Sequence, residues 1–271
     1  MTLVLALPLG LLIGLSLGAL GGGGSILSVP ALVYALGEDA RHATTTSLLV
    51  VGAASLAGAI GHWRAGRVRV LTGTVFGLTG VGGSLLGSAI SRGIDANVLL
   101  LAFSGLIGVV AWRMLRTRRM LGRSGRTGAS ARSVAEDVVA TRQTLSLRSA
   151  ALVLVAGTVV GFLTGLFGVG GGFVIVPALV LALRLKMPDA VGTSLLVIAL
   201  NALVALVARG GVGNLDWSLT GVFGLAAILG AVAGKLLADR LPARRMIGAF
   251  AGLLVAVGAY TAARSIAGLA A

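Results

Sequence analysis

The hydropathy pattern of the chain consists of long apolar stretches separated by short polar segments. Several stretches reach roughly 18 residues or more, the length that an α-helix needs to cross the hydrocarbon core of a bilayer. In the first half, this pattern predicts membrane helices over residues 3–20, 43–61, 70–90 and 96–114. The pattern therefore indicates an all-α polytopic membrane protein.

One apolar segment of the first half, residues 26–36, is too short to cross a bilayer. It follows a run of four glycines at residues 21–24 and precedes a polar elbow at residues 37–42. Glycine runs interrupt helices and expose backbone N–H groups. Because irregular backbone is tolerated at membrane depth only where protein or water covers it, we expect this break to have a function.

The second half of the chain repeats the first at a constant offset. Pro177, Ser194, Phe223 and Gly252 each lie 147 residues after the same residue type in the first half. Between residues 14–50 and 161–197, 18 of 37 aligned positions are identical. Such an internal duplication is common in transporters.

The repeats divide the chain into three predicted parts: a first membrane repeat at residues 1–115, a linker at 116–148 and a second membrane repeat at 149–271. The linker is polar and rich in arginine, which indicates a cytoplasmic, partly disordered segment. We expect it to interact with anionic lipid headgroups and not with nucleic acid.

The distribution of basic residues predicts that the two repeats have inverted topology. With the linker placed inside, parallel repeats put 14 of the 22 Lys and Arg residues in the cytoplasm, whereas inverted repeats put 18 there and leave four outside. The positive-inside rule favours inversion.

Inversion requires that each glycine break form the tip of a re-entrant hairpin. We therefore predict two inverted-topology repeats, each a glycine-broken re-entrant hairpin plus about three transmembrane helices. The hairpins would enter from opposite faces, so that the two glycine turns meet near the midplane of the membrane.

Composition supports the membrane class and excludes several others. The chain is 57% hydrophobic and 11% charged, with a mean hydropathy of +1.04, whereas soluble domains carry about 25% charged residues. It has no cysteine, which excludes disulfides and thiolate metal sites. We interpret the apolar N-terminus as a retained membrane segment and not a signal peptide.

The glycine turns and two Thr-Ser pairs are the candidate substrate-binding residues. Each turn opens a short helix whose free N–H groups and positive dipole end suit an anion. Thr46-Ser47 and Thr193-Ser194 are predicted to begin the next helices, where their hydroxyls could bind the anion or cap the helix. The alternative for the glycines is close helix packing. The candidates are Gly21, Gly23, Gly24, Ser25, Thr46, Ser47, Gly168, Gly170, Gly171, Gly172, Thr193, Ser194 and Asn201.

Other polar residues have two interpretations each. Asn201 could line the pathway or bond a neighbouring helix. Lys235 could attract anions at the inner mouth or extend to the membrane interface. His42 and Asp189 occupy equivalent positions and could couple transport to protons, or simply face water at the elbows.

The three tryptophans, Trp63, Trp112 and Trp217, lie at predicted helix ends. Tryptophan is enriched at both membrane–water interfaces, so we interpret them as interface anchors.

An enzymatic function has little support in the sequence. A membrane serine hydrolase would pair Ser25 or Ser47 with His42 or His62, but the second repeat has no histidine. The spans also lack the histidines and carboxylates of a metal site, and we expect no cofactor. A membrane-embedded enzyme or a partner protein without transport activity stays the alternative to a transporter.

The duplicated Gly-x-Gly-Gly-[Gly/Ser] motif, followed by Val-Pro-Ala-Leu and Thr-Ser-Leu, resembles the sulfite exporter TauE/SafE family of anion permeases. The resemblance covers residues 10–115 and 150–265. It implies a bacterial or archaeal inner-membrane permease for sulfite, thiosulfate, sulfonates or small organic acids, sometimes exported. The glycine motif of the family corresponds to Gly21, Gly23, Gly24 and Pro30, and to Gly168, Gly170, Gly171, Gly172 and Pro177.

The first copy departs from the motif at Ser25, which replaces the last glycine. We therefore expect a site that is not strictly symmetric. The expected partners are a small anionic substrate and the lipid bilayer, with proton coupling as an option. The sequence predicts no oligomeric state.

Overall fold

A computed structural model of the protein describes residues 2–91, 93–94, 96–124, 147–167, 172–208 and 215–270. Every regular element within these residues is helical, which confirms the all-α prediction. The helices are α1 (Thr2–Leu20), α2 (Ser25–Pro30) with a π-helical continuation (Ala31–Ala35), α3 (Ala40–Arg64), α4 (Val70–Ser91), α5 (Ala96–Ser124), α6 (Leu147–Phe167), α7 (Gly172–Leu181), α8 (Met187–Ala208), α9 (Trp217–Arg240) and α10 (Ala243–Ala270).

Seven helices in the described part of the chain are long and apolar enough to cross a membrane, and two shorter apolar helices, Ser25–Ala35 and Gly172–Leu181, are not. Large hydrophobic side chains such as Leu78, Val207 and Leu225 point outward and are largely exposed. An apolar outer surface of this extent suits lipid and not water. The protein is therefore a multi-pass membrane protein.

The predicted helix boundaries agree with the structure to within three residues for α1 to α4. The exception is α5, which was predicted to end at residue 114 and continues to Ser124. Arg, Leu and Met are good helix formers, so the arginine-rich sequence extends the helix beyond its apolar part. Residues 116–124 of the predicted linker are consequently helical, and residues 125–146 lie outside the described part.

The longer α5 also corrects the predicted position of Trp112, which lies within this helix and not at its end. Its ring stacks beneath the guanidinium of Arg116, 3.8 Å from the ring centroid. Trp63 and Trp217 do lie at helix ends, in the last turn of α3 and at the first residue of α9, and both are exposed.

The order of helices repeats with the sequence. Helices α2 and α7, α3 and α8, α4 and α9, and α5 and α10 each begin 147 residues apart. The packing repeats as well: α1 packs on α9 as its equivalent α6 packs on α4, and α3 contacts α9 as α8 contacts α4. Exchanging the two halves therefore maps one set of helix contacts onto the other.

Two seams of small residues hold the repeats together, one between α1 and α9 and the other between α4 and α6. A Cβ placed on the seam glycines would overlap the backbone of the facing helix, so these helices touch through main-chain atoms. Small residues permit this approach in lipid. The seam glycines are Gly10, Gly14, Gly18, Gly230 and Gly234 in the first seam and Gly157, Gly161, Gly165, Gly83 and Gly87 at the equivalent positions of the second.

The seam contacts also give the relative direction of the helices. Along α1, Gly10, Gly14 and Gly18 face Phe223, Ala227 and Ala231 of α9 in turn, so α1 and α9 run in the same direction. Gly157, Gly161 and Gly165 of α6 likewise face Phe76, Gly80 and Ser84 of α4. The first helix of each half, α1 or α6, thus runs parallel to a helix of the other half, α9 or α4.

Candidate functional site

The first glycine run forms a tight turn between α1 and α2. Gly21 has a positive φ of 77°, a conformation that favours glycine, and its N–H donates to the Leu17 carbonyl at 2.7 Å. The N-cap residue of α2 is Gly24, which has no side chain to accept from the first N–H groups of the helix. The turn is buried, and its backbone donors therefore lie inside the protein.

The turn contacts the start of α7 directly. A Cβ at Gly22 would overlap the carbonyl of Gly172, and a Cβ at Gly172 would overlap the hydroxyl of Ser25. Ser25 Oγ donates to the Gly22 carbonyl at 2.8 Å. The structure thus brings Gly21 to Gly24, Ser25 and Gly172 together. The other candidates from the second glycine run, Gly168, Gly170 and Gly171, lie outside the described residues.

The serines of the two Thr-Ser pairs lie close to α2 and to the first glycine turn. Ser47 Oγ and Ser28 Oγ share a hydrogen bond of 2.6 Å between α3 and α2. Ser194 lies against Gly21, where a Cβ would come within 2.5 Å of its hydroxyl, and donates to the Val191 carbonyl at 2.8 Å. The serines at equivalent positions thus flank the break from different helices.

The two pairs do not begin their helices, so the prediction of N-terminal hydroxyls is wrong. Helix α3 begins at Ala40 and α8 at Met187, which places both Thr-Ser pairs in the second turn. Both helices therefore extend into the polar elbows. The elbow residues are compatible with the first turn of a helix: alanine, arginine and histidine in the first copy, and aspartate in the second. Helix capping therefore does not explain why Thr and Ser recur here.

Asn201 lies two turns beyond Ser194 on α8, and its side-chain oxygen faces Gly77 of α4. This oxygen is buried and has no hydrogen-bond partner. The structure does not place Asn201 in the group around Gly22.

Four further buried polar residues were not among the predicted site residues: Ser28, Ser55, His62 and Thr220. His62 is fully buried, and its Nε2 lies 3.1 Å from the Gly18 carbonyl at the end of α1. Ser28 could have been predicted from the sequence, because it follows Ser25 by three residues and so lies on the same face of a short apolar helix.

A cluster of charged residues, the basic cluster, joins the two halves where α3 ends and α8 begins. Arg67 pairs with Asp239, Lys235 pairs with Asp239 at 2.7 Å, and Arg69 pairs with Asp189 at 3.7 Å. The N–H of Arg69 also donates to Thr193 Oγ1 at 3.1 Å. Lys235, for which two interpretations were open, thus forms an ion pair in this cluster.

The opposite ends of α3 and α9 surround a second charged region, the acidic cavity, with a volume of about 360 Å³. Its polar lining comes from Glu38, Asp39, His42, Asp216 and Ser218. Asp216 caps α9 by accepting from the N–H groups of Ser218 and Leu219. Burial raises the pKa of Glu38 above its ordinary value, and the nearby charge of Asp216 adds to this effect.

The chemistry available at the glycine turn is neutral hydrogen bonding. Backbone N–H groups and the hydroxyls of Ser25 and Ser194 lie at the contact between the halves, and Ser47 bonds to Ser28 on the neighbouring α2. The Ser25 and Ser194 hydroxyls donate to carbonyls, and each could turn its proton to a small anion in place of part of the hydration shell. The hydrogen bonds of Ser25 and Ser47 go to Gly22 and Ser28, and neither joins a histidine. Among the described residues, no group of three or more His, Cys, Asp or Glu side chains could hold a metal ion.

Comparisons with known proteins confirm the resemblance to the family. The family model described as Sulfite exporter TauE/SafE matches residues 6–261. A probable membrane transporter protein of Xylella fastidiosa strain 9a5c is 36% identical over 273 residues, which cover 100% of this chain and 98% of the relative. The probable membrane transporter protein YunE of Bacillus subtilis is 28% identical and covers 87% of both chains. No solved structure gives a significant match.

Proposed function

The chain belongs to the sulfite exporter TauE/SafE family, and we propose that it carries a small sulfur-containing or organic anion across the inner membrane. Sulfite, thiosulfate and sulfonates are the candidate substrates, and export is the proposed direction. The family and the names of its relatives indicate a membrane transporter and not an enzyme.

The observation that carries this proposal is the contact between Gly22 and Gly172. These residues come from the two glycine motifs of the duplicated sequence, and their backbones approach too closely for any side chain at Gly22. Unlike the seam glycines, which lie within helices, Gly22 lies in a turn between two helices and meets the start of α7. An anion bound beside this contact would be held by groups from both halves.

Uncharged hydrogen-bond donors are suited to binding an anion inside a membrane. A buried arginine or lysine would cost several kcal/mol in the bilayer centre, whereas backbone N–H groups and hydroxyls carry no net charge. Gly24 leaves the N-terminus of α2 without a side-chain cap, and Ser25, Ser47 and Ser194 contribute hydroxyls. Rocking of one repeat against the other would expose the anion to each side in turn.

We propose further that the repeats are inverted and that the glycine breaks are tips of re-entrant hairpins. The end of α3 lies beside the start of α8, because His62 touches Gly192. The start of α9 lies beside the start of α3, where Asp216 and His42 share the acidic cavity. These neighbours support antiparallel directions for the equivalent helices α3 and α8.

The distribution of charge supports an orientation. The basic cluster and Arg64 would face the cytoplasm, and the acidic cavity would face the outside. Because the chain has no cysteine, single cysteines report their own side. A cysteine at Arg240 should react only with a reagent in the cytoplasm, and one at Gly37 only with an external reagent. Labelling of both from one side would rule out the inverted topology.

Transport is tested by the uptake of radiolabelled sulfite, thiosulfate and ethanesulfonate into proteoliposomes. We expect flux of at least one of them above that of empty liposomes. Gly22→Ala should reduce this flux by roughly tenfold or more, because the added methyl group would overlap the Gly172 carbonyl and force the turn away from it.

The matched control is Gly82→Ala on α4, since nothing lies within 4 Å of a Cβ at Gly82. This variant should transport at the wild-type rate. Equal flux in both variants, with both folded by size-exclusion chromatography, would contradict the placement of the site. Absence of flux for every anion would contradict the function itself.

A further inference from the structure

The two threonines of the duplicated Thr-Ser pairs have different surroundings. Thr46 and Thr193 occupy equivalent positions on α3 and α8, and both are fully buried. Thr193 Oγ1 accepts the N–H of Arg69. Thr46 Oγ1 has no hydrogen-bond partner, although a buried hydroxyl normally has one. The donor to Thr193 is the backbone N–H of Arg69, so the difference between the two threonines does not come from the side chain at position 69 or at its equivalent, Asp216.

The carboxyl of Glu38 is the candidate hydrogen-bond partner of the Thr46 hydroxyl. Its Oε2 is also buried and has no hydrogen-bond partner. The two groups are close enough to interact, because the Thr46 hydroxyl acts to lower the pKa of Glu38 although the larger effect of burial raises it. The Thr46 hydroxyl and the Glu38 carboxyl therefore lie near each other, without a well-formed hydrogen bond between Oγ1 and Oε2.

The surroundings of Glu38 strengthen its hold on a proton. Glu38 lines the acidic cavity beside Asp39 of the same loop, with His42 on α3 and Asp216 on α9, while α1 contributes the uncharged Leu3. Burial is the largest influence on its pKa, and Asp216 raises the pKa further, whereas Thr46 and His42 lower it. Glu38 therefore keeps its proton to a higher pH than an ordinary glutamate does.

We propose that Glu38 is a proton-binding site that couples anion transport to a proton gradient. This inference rests on the proposed function and adds the coupling ion to it. A protonated Glu38 donates its O–H to Thr46 Oγ1, which supplies the donor that Arg69 gives to Thr193. The hydroxyl proton of Thr46 is then free to be donated to an anion.

Loss of the proton reverses this arrangement. An ionised Glu38 accepts the hydroxyl proton of Thr46, so that Thr46 no longer has a donor for the substrate, and the negative charge repels an approaching anion. Thr46 is adjacent to Ser47, whose hydroxyl bonds to Ser28 on α2. Thr46, the partner of Glu38, is thus one residue from a hydrogen bond to α2, the helix that follows the glycine turn.

A proton fits this site better than a metal ion. The described residues contain no group of three or more His, Cys, Asp or Glu side chains that could hold one. Asp216 is already engaged as a helix cap, and a metal ion would need several carboxylates free to converge on it.

The experiment uses proteoliposomes that contain a pH-sensitive dye and are driven by a gradient of thiosulfate. Wild-type protein should move protons together with the anion, and its flux should fall roughly tenfold across two pH units around the pKa of Glu38. Glu38→Gln should abolish the proton movement and make anion exchange independent of pH. The neighbouring Asp39→Asn is the matched control and should retain the wild-type pH profile.

A second measurement separates failure of this inference from failure of the proposed function. Infrared difference spectroscopy of the purified protein detects a protonated carboxyl group without any transport. Its titration should show one carboxyl that stays protonated above the range of ordinary glutamates, and this signal should disappear in Glu38→Gln. If the signal persists in that variant, or if Glu38→Gln transports with the wild-type pH dependence, the inference is wrong. Absence of anion flux in wild-type protein with the signal present would overturn only the proposed function.

Discussion

The two charged ends of the molecule are built from equivalent positions but have opposite chemistry. Arg69 pairs with Asp189 in the basic cluster, and the residues at the equivalent positions, Asp216 and His42, line the acidic cavity. One end is tied by ion pairs that cross between the halves, through Arg67 as well as Arg69. The other end surrounds open volume.

This difference shows how two repeats with the same backbone can present different chemistry at the two ends of the molecule. The seams and the helix order are the same in both halves, so they distinguish neither end. The two ends differ through substitutions at a few equivalent positions, such as Arg69 against Asp216 and Asp189 against His42. The glycine contact is formed by both repeats.

The largest expected effect concerns the two seams, which are the same in both halves. Gly14→Leu and Gly161→Leu introduce the same side chain at equivalent positions of the two seams, where each would overlap the backbone of the facing helix. Each should destabilise the protein by about 3 kcal/mol, as overpacking of a close contact does. Thermal unfolding in detergent should shift by roughly 6–12 °C.

Gly82→Leu is the control for this pair, because its Cβ would meet no atom within 4 Å. It should leave the unfolding temperature almost unchanged. A large effect in only one seam would mean that the halves do not share their packing.

The next effect tests closure of the basic end. Asp239→Ala leaves Arg67 and Lys235 without their shared partner. The reaction of a cysteine at Ser194 with a maleimide should then become about fivefold faster, since a partly exposed ion pair contributes about 1 kcal/mol. Asp239→Glu preserves the charge and should keep the rate close to that of the parent. An unchanged rate in Asp239→Ala would show that the ion pairs do not hold this end closed.

The smallest effect concerns the acidic end. Asp216→Ala removes the acceptor for the N–H groups of Ser218 and Leu219 and should cost about 1 kcal/mol, or roughly 2–4 °C in unfolding temperature. Asp216→Asn retains a capping oxygen and should be close to wild type. If Asp216→Asn is as unstable as Asp216→Ala, the charge and not the cap is what stabilises α9.

Much of the fold was predictable from the sequence because lipid imposes simple constraints. Apolar length located the spans, and the identical residues at a fixed offset located the repeat, which the helix starts reproduce. The end of α5 was not predictable in this way, because hydropathy stops at the membrane interface whereas helix propensity continues through Arg116 and beyond.

The candidate site was predictable only in part. The recurrence of glycine and Thr-Ser identified Ser194, which lies against Gly21, and Ser47, which bonds to Ser28 on α2, since duplication marks positions that both halves retain. Recurrence also explains what was missed: Glu38, Ser28 and His62 have no counterpart of the same type in the second half. Their roles depend on contacts between distant helices, such as His62 with Gly18. A prediction based on symmetry overlooks the residues by which the halves differ.

The central claim is that an oxyanion binds where the glycine turn of one repeat meets the other repeat. Because the chain has no cysteine, Ser25→Cys and Ser194→Cys each place one reactive thiol at this contact. At ten times its Kd, ethanesulfonate should slow the maleimide labelling of both by roughly tenfold. It should leave the labelling of Ser218→Cys, in the acidic cavity, unchanged. Equal labelling rates at Ser25→Cys and Ser194→Cys with and without the sulfonate, in protein that transports it, would contradict the claim.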